Sequence, residues 1–182
     1  MKKTGATEGP PELVDIVDRL DRPLCIMPKS EAHRQSLYHR AVFVLVFNPA
    51  GKLYLQKRGP KKSLYPGRFD LSATGHVQAG EARLDAAIRE LHEELGLRVK
   101  TLTRLDAIPA SEQTGYEFVT LFSAGRLAEP PRPNPAEVAG GMFVDPTELA
   151  ALVRGYRDWL TPGLVHFFEK KALFSEARYG EG

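Results

Sequence analysis

The residues that decide how this chain folds are Gly75-His76-Val77-Gln78-Ala79-Gly80-Glu81-Ala82-Arg83-Leu84-Asp85-Ala86-Ala87-Ile88-Arg89-Glu90-Leu91-His92-Glu93-Glu94-Leu95-Gly96-Leu97. Leu84, Ile88, Leu91 and Leu95 recur at spacings of four, three and four, the apolar stripe of one amphipathic helix between Glu81 and Leu95. Gly80 stands just ahead of that helix, and Gly96 stands where a left-handed C-terminal cap belongs. Glu90, Glu93 and Glu94 lie at i, i+3 and i+4, so their carboxylates share one face. That face is expected to point away from the leucines and to stay open to water or ligand. Exposed like charges repel by only roughly a few tenths of a kcal/mol per pair, so a solvated acidic face is the plain alternative. Three oxygen-bearing groups on a rigid helix face also suit Mg²⁺, a hard ion that takes a few carboxylates and fills its octahedron with waters and phosphate oxygens.

Around this stretch the chain reads as one α/β domain. Its 182 residues suit a single core, with a domain expected over 12–175 between a flexible tail at 1–11 and a short tail at 176–182. The formal net charge of +2 makes no demand for nucleic acid or an anionic membrane. Cys25 is the single cysteine, which excludes an internal disulfide and a Cys-rich zinc site and fits a reducing cytosol. Met1-Lys2-Lys3-Thr4-Gly5 has no apolar stretch behind it, so it does not read as a signal peptide. The longest apolar run, Ala41 to Phe47, is far short of the ~20 residues of a membrane helix. A cytoplasmic protein is expected.

Leu13 to Val17 and Leu24 to Met27 flank Asp18-Arg19-Leu20-Asp21-Arg22-Pro23 as a small hairpin. Val42 to Phe47 and Leu53 to Lys57 read as strands joined by the turn Asn48-Pro49-Ala50-Gly51. Phe69 to Ala73 is a short strand, and further strands are expected around Arg98 to Ile108, Glu117 to Ala124 and Gly141 to Val144. Pro130 to Pro135 is a crossing loop. Pro146 to Arg154 and Thr161 to Leu173 read as helices with Pro near the first turn. Trp159, close to the last helix, is expected to pack in the core. Strands interleaved with helices give an α/β fold with a mixed sheet between helices.

Gly75, five residues, Glu81, seven residues and then Arg89-Glu90-Leu91-His92-Glu93-Glu94-Leu95-Gly96-Leu97 match the Nudix box. Average residue usage would produce such a match in a chain this long on the order of once in ten million. The chain therefore resembles the Nudix hydrolases. That resemblance implies an α/β/α sandwich and a Mg²⁺-dependent enzyme, with Mn²⁺ as the alternative ion, that splits a small-molecule diphosphate. It implies Glu93 and Glu94 as principal metal ligands, Glu90 as a ligand or as the base that takes the water proton, and the Gly75 carbonyl as a further ligand. Arg89 would orient the carboxylates by charge-assisted hydrogen bonds. Glu81, at the helix start, is equally well explained by the helix dipole. Family members often add a glutamate outside the box, for which Glu137, Glu117 and Glu112 are candidates. Arg58 and Lys62, within Lys57-Arg58 and Lys61-Lys62, could grip a distal phosphate, against the alternative of a solvated basic loop. Family members are often dimers, and a homodimer is compatible with this chain although no stripe in it demands one.

Tyr65-Pro66-Gly67, Ser72-Ala73-Thr74-Gly75-His76 and the Ala32-His33 to His39 segment are similar to isopentenyl diphosphate isomerases and their hydrolase-like relatives, diffusely over Leu13 to Leu173. Those isomerases protonate an alkene with a cysteine just before the Gly-His pair and a glutamate on a later strand. They hold a metal with three histidines and two glutamates. On that resemblance His33, His39, His76 and Glu117 form a second metal site, while the other glutamate falls at Gly115. His33 and His39 are six apart, a spacing that does not put them on one helix face. The cysteine position is Thr74, whose hydroxyl cannot replace a thiol in that role. The tryptophan facing the developing cation falls at Gly163. The expected activity is therefore hydrolysis of a nucleoside diphosphate derivative or related diphosphate metabolite. Isomerase-like activity and a non-catalytic diphosphate-binding module are the alternatives.

Overall fold

A computed structural model describes residues 10–174; the tails expected over 1–11 and 176–182 lie outside those residues except for Pro10 and Pro11. The chain opens with a hairpin of β1 (Leu13–Val17) and β2 (Pro23–Pro28), followed by α1 (Lys29–Arg34). Then come β3 (His39–Phe47), β4 (Leu53–Arg58), β5 (Phe69–Asp70), β6 (Ala73–His76) and α2 (Arg83–Leu95). The second half holds β7 (Thr103–Ile108), β8 (Glu117–Arg126), β9 (Val138–Val144), α3 (Pro146–Gly155) and α4 (Pro162–Glu169).

β3 is the spine of a seven-stranded mixed sheet ordered β5-β4-β3-β8-β7, with β6 also pairing β3 and β9 pairing β4. Only the β3–β8 pairing is parallel, with His39 opposite Glu117. Successive side chains of a strand face opposite sides, and β3 uses both. Ala41, Leu45 and Phe47 pack with Leu149 and Val153 of α3 and Leu164, Val165 and Phe167 of α4. Val42, Val44 and Val46 pack with Ala86, Ala87, Leu91 and Leu95 of α2. The sheet thus lies between two helical layers, as the sequence implies. The hairpin adds a small core of Val14, Ile16 and Ala32.

Several boundaries differ from the sequence reading. The strand expected over Phe69 to Ala73 is two strands, and the second continues to His76. Between them Ser72 Oγ accepts from Val46 N at 2.9 Å and donates to Tyr54 O at 2.6 Å. A side chain closes the ladder where the main chain crosses from β4 to β3. Residues 98–102 pair with no strand, so β7 is shorter than expected. The last helix stops at Glu169, two residues before Lys171 takes a left-handed φ of 58°. α1 was not read from the sequence, because six residues are too few for a periodic pattern. Trp159 is 58% exposed and tilts against Tyr156; Leu160 takes the core position instead.

The largest correction concerns the acidic face of α2. Glu90 and Glu94 are buried alongside Leu91 and Leu95, whereas Leu84 and Ile88 of the stripe are only partly covered. Of the three carboxylates only Glu93 is exposed. The helix lies close on β6 because Gly75 presents no side chain there; a Cβ on Gly75 would overlap the Glu90 carboxylate.

Candidate active site

The acidic cluster is assembled by α2 lying across β6. Glu94 has no solvent exposure, and its Oε2 accepts from Thr74 N at 2.9 Å and Gln56 Nε2 at 2.8 Å. Arg89 acts as the bracket: Nε and NH2 donate to Glu81 at 2.9 Å each, and NH2 also reaches His76 O at 2.9 Å. Its NH1 meets Glu90 Oε1 at 2.7 Å and Glu93 Oε2 at 3.1 Å. Burial raises the Glu90 carboxyl to about 8, against the opposing pull of Arg89. Burial also raises Glu94, with Lys62 acting the other way. Glu81 goes the opposite way: its partial burial is outweighed by Arg89, which holds it below the usual carboxylate range.

Glu137 joins from the loop ahead of β9. That loop is tied to the end of α2, where Arg132 N donates to Leu95 O at 2.8 Å and Asn134 N to Glu94 O at 2.9 Å. Carbonyls that a helix C-terminus leaves without intrahelical partners are thereby satisfied. Lys62 is no solvated basic loop residue: its Nζ lies 2.8 Å from Glu94 Oε1 and 2.7 Å from Glu137 Oε2. Arg58 is likewise mostly covered, with NH1 2.9 Å from Asp70 Oδ2 and 3.1 Å from Thr74 Oγ1. Asp70 is held in turn by Thr161 Oγ1 at 2.6 Å. Glu112, the remaining outside glutamate, is exposed on a short 3-10 turn and joins neither cluster.

His33, His39, His76 and Glu117 meet beside the acidic cluster, His76 following Gly75 on β6, with one ligand atom from each within 4.8 Å of the others. The six-residue separation of His33 and His39 is spanned by a change of element, from α1 to β3. Strand register does the rest, since His39 stands opposite Glu117 and Ala41 opposite His76. His76 Nε2 lies 3.1 Å from His33 Nε2 and 3.0 Å from Glu117 Oε1. His39 Nδ1 lies 2.8 Å from the Leu37 carbonyl oxygen, to which it can only donate. His39 Nε2 is buried without a hydrogen-bond partner, with Glu117 Oε1 3.6 Å away. Burial and the neighbouring imidazoles lower His33 to about 4, so its ring is neutral at pH 7. Burial pushes the Glu117 carboxyl up, yet His76 and His39 beside it hold it well below the usual range. Three imidazoles and one carboxylate are a donor set suited to a divalent transition metal.

One cavity of about 720 Å³ opens onto both clusters. Glu90, Glu93 and Glu137 line one part, His76 and Glu117 another, and Ala41, Phe43, Ile108 and Val119 supply an apolar wall. Thr74 and Gly163 also line it, and Gly163 lies against the Phe43 ring. Sequence reading missed Gln56, Asp70 and Thr161, which support Glu94 and Arg58 from other elements. No local pattern marks them, because each contact joins residues 12 or more positions apart.

The NUDIX domain profile matches residues 37–162. An uncharacterized Nudix hydrolase of Pseudomonas aeruginosa is 42% identical over 139 residues, covering 76% of this chain and 81% of that one. An isopentenyl-diphosphate Delta-isomerase of Nocardia farcinica is 35% identical over 174 residues, covering 92% of this chain and 97% of its own. A crystal structure from Deinococcus radiodurans aligns with a TM-score of 0.76 at 27% identity, over 87% of this chain and 98% of that one.

Proposed function

This chain is a Nudix hydrolase of the branch that includes the isopentenyl-diphosphate isomerases, and on that premise we propose that it hydrolyses a small-molecule diphosphate with a divalent cation, Mg²⁺ or Mn²⁺. The substrate class is a nucleoside diphosphate derivative or a related diphosphate-linked metabolite. The observation that carries this reading is the charge balance of the acidic cluster. Glu81, Glu90, Glu93, Glu94 and Glu137 are five carboxylates around two cations, Arg89 and Lys62, with Glu94 fully buried. Carboxylates in such excess, with Glu90 and Glu94 buried and raised, leave room for a further cation that would favour their charged forms, and oxygen donors of this kind fit a hard one.

Glu90, Glu93, Glu94 and the Gly75 carbonyl would hold that ion, which when bound would neutralise the diphosphate and make a coordinated water more acidic. Arg89 fixes the Glu90 and Glu93 carboxylates from one guanidinium, so their spacing is set before substrate arrives. Glu90 is the candidate for taking the proton of the attacking water, with Glu137 the candidate from outside the helix. Arg58 and Lys62 line the cavity and would face the distal phosphate. Ala41, Phe43, Ile108 and Val119 would take the organic part of the substrate, in a space of nucleotide size.

The histidine cluster supports a second metal position at His33, His39, His76 and Glu117, on the observation that buried His39 Nε2 has no partner. It does not turn the reading toward isomerisation. Thr74 offers no thiol, and its hydroxyl is engaged by Arg58. Gly163 offers no aromatic face toward a cation.

The test is phosphate or monophosphate release from nucleoside diphosphates and triphosphates, nucleotide sugars, dinucleotides, CoA and prenyl diphosphates, with and without Mg²⁺. Metal-dependent release from one class is expected. Isomerisation of a prenyl diphosphate without release would replace the hydrolase reading. Silence across the panel from a folded protein would favour a binding module.

A further inference from the structure

The loop from Gly59 to Gly67 delivers Lys62 into the acidic cluster, and the contact it makes there is specific to one oxygen. Glu94 Oε2 already accepts two hydrogen bonds, from Thr74 N and Gln56 Nε2. Oε1 is the oxygen left for a cation, and Lys62 Nζ sits 2.8 Å from it. Glu137 Oε2 closes the other side of the ammonium at 2.7 Å. Lys62 Nζ thus sits between one carboxylate oxygen of each glutamate, the geometry of a paired ammonium.

An ammonium and a divalent cation cannot both contact Glu94 Oε1 in a partly buried site, where like charges repel far more strongly than in water. The loop is built so that the lysine can leave. Both of its ends are pinned by backbone bonds, Gly59 N to Glu137 O at 2.8 Å, Gly67 N to Arg58 O at 3.0 Å and Arg58 N to Arg68 O at 2.9 Å. Between those anchors Ser63, Leu64, Tyr65 and Pro66 are exposed. Withdrawal of Lys62 breaks its two ion pairs and, where the loop moves with it, the bonds from Lys62 N to Gly59 O, Arg58 Nε to Leu64 O and Arg68 N to Tyr65 O, while the strand ladders stay in place.

We infer that Lys62 is a resident counter-ion that competes with the divalent cation for Glu94 Oε1, so that metal loading requires the lysine to withdraw. This rests on the carboxylate metal site proposed above. The lysine keeps buried carboxylates paired while metal is absent, and it lowers apparent metal affinity by the fraction of molecules in which it is docked.

Mn²⁺ binding measured calorimetrically on the full chain tests this directly, with no substrate needed. The Glu94→Gln variant identifies which binding event belongs to the carboxylates rather than to the histidines. Lys62→Met should bind Mn²⁺ about tenfold more tightly at that event. Lys62→Arg, which keeps the charge, should stay near wild type. Lys62→Gln gives a second neutral variant, and circular dichroism checks each fold. Unchanged or weaker binding in the folded neutral variants overturns the competition and leaves the metal site standing. Tightening in Lys62→Arg as large as in Lys62→Met also overturns it, because charge would not be the cause. Absence of any event removed by Glu94→Gln overturns both the competition and the carboxylate site.

Discussion

Glu94 shows how much one side chain's surroundings change its meaning. It has no solvent exposure and holds Thr74 N, Gln56 and Lys62 at once, so it joins β6, β4 and the Gly59–Gly67 loop to α2. Glu94→Gln keeps the shape and an acceptor for Thr74 N while removing the charge. The fold should persist, and turnover of the compound found in the panel should fall on the order of 100-fold or more, as for a lost metal ligand. Near-wild-type turnover would remove Glu94 from the metal site. The glutamates themselves were legible in the sequence, because their i, i+3, i+4 spacing needs only helix geometry. Their burial was not, because it depends on Gly75 passing beneath Glu90, and Gly75 belongs to another element.

At the scale of the element, α2 is the part of the chain that sequence described best. Its period, start and cap are local properties, and the observed helix ends with Gly96 at φ 68°, its N–H donating to His92 O at 2.9 Å. A Cβ at Gly96 would meet the Arg132 Cβ at 3.4 Å, an ordinary contact. The cost of Gly96→Ala is therefore mainly the left-handed backbone, about 1–2 kcal/mol. Denaturant unfolding should show that loss with an unchanged m-value; equal stability would mean the helix end had shifted to another cap. The strand around Phe69 to His76 was read less well. Its break at Ser72 comes from bonds to Val46 and Tyr54, which no local pattern announces.

The histidine cluster belongs to the scale of the whole molecule. Its members come from α1, β3, β6 and β8, so an ion held there would tie the N-terminal hairpin unit to the central sheet. Zn²⁺ should raise the thermal midpoint of the wild-type chain by several degrees. A ligand at about 100 times its Kd adds about 2.7 kcal/mol, and each kcal/mol moves the midpoint of a chain this size by about 2–4 °C. His33→Ala, at the edge of the cluster, should lose most of that shift. An equal Zn²⁺ shift in His33→Ala would show that the ion sits elsewhere. At this scale too, no helix among the described residues is long and apolar enough to cross a membrane.

What the sequence by itself determined was everything set by short-range periodicity and residue type. That includes the α2 helix with its glutamates and Gly96 cap, the alternation of strands and helices, the hairpin at the start and the family to which the box belongs. The tertiary structure alone decided that Glu90 and Glu94 are buried and that Lys62 lies between Glu94 and Glu137, and it supplied the register that brings together His33, His39, His76 and Glu117, a grouping the sequence suggested only through a resemblance. It also put Leu160 rather than Trp159 in the core. The physical reason is the same in each case. Secondary structure follows from neighbours three or four residues apart, whereas a buried charge or a ligand cluster is defined by strand register and layer packing, which bring together residues such as Lys62 and Glu137 that lie far apart in the chain.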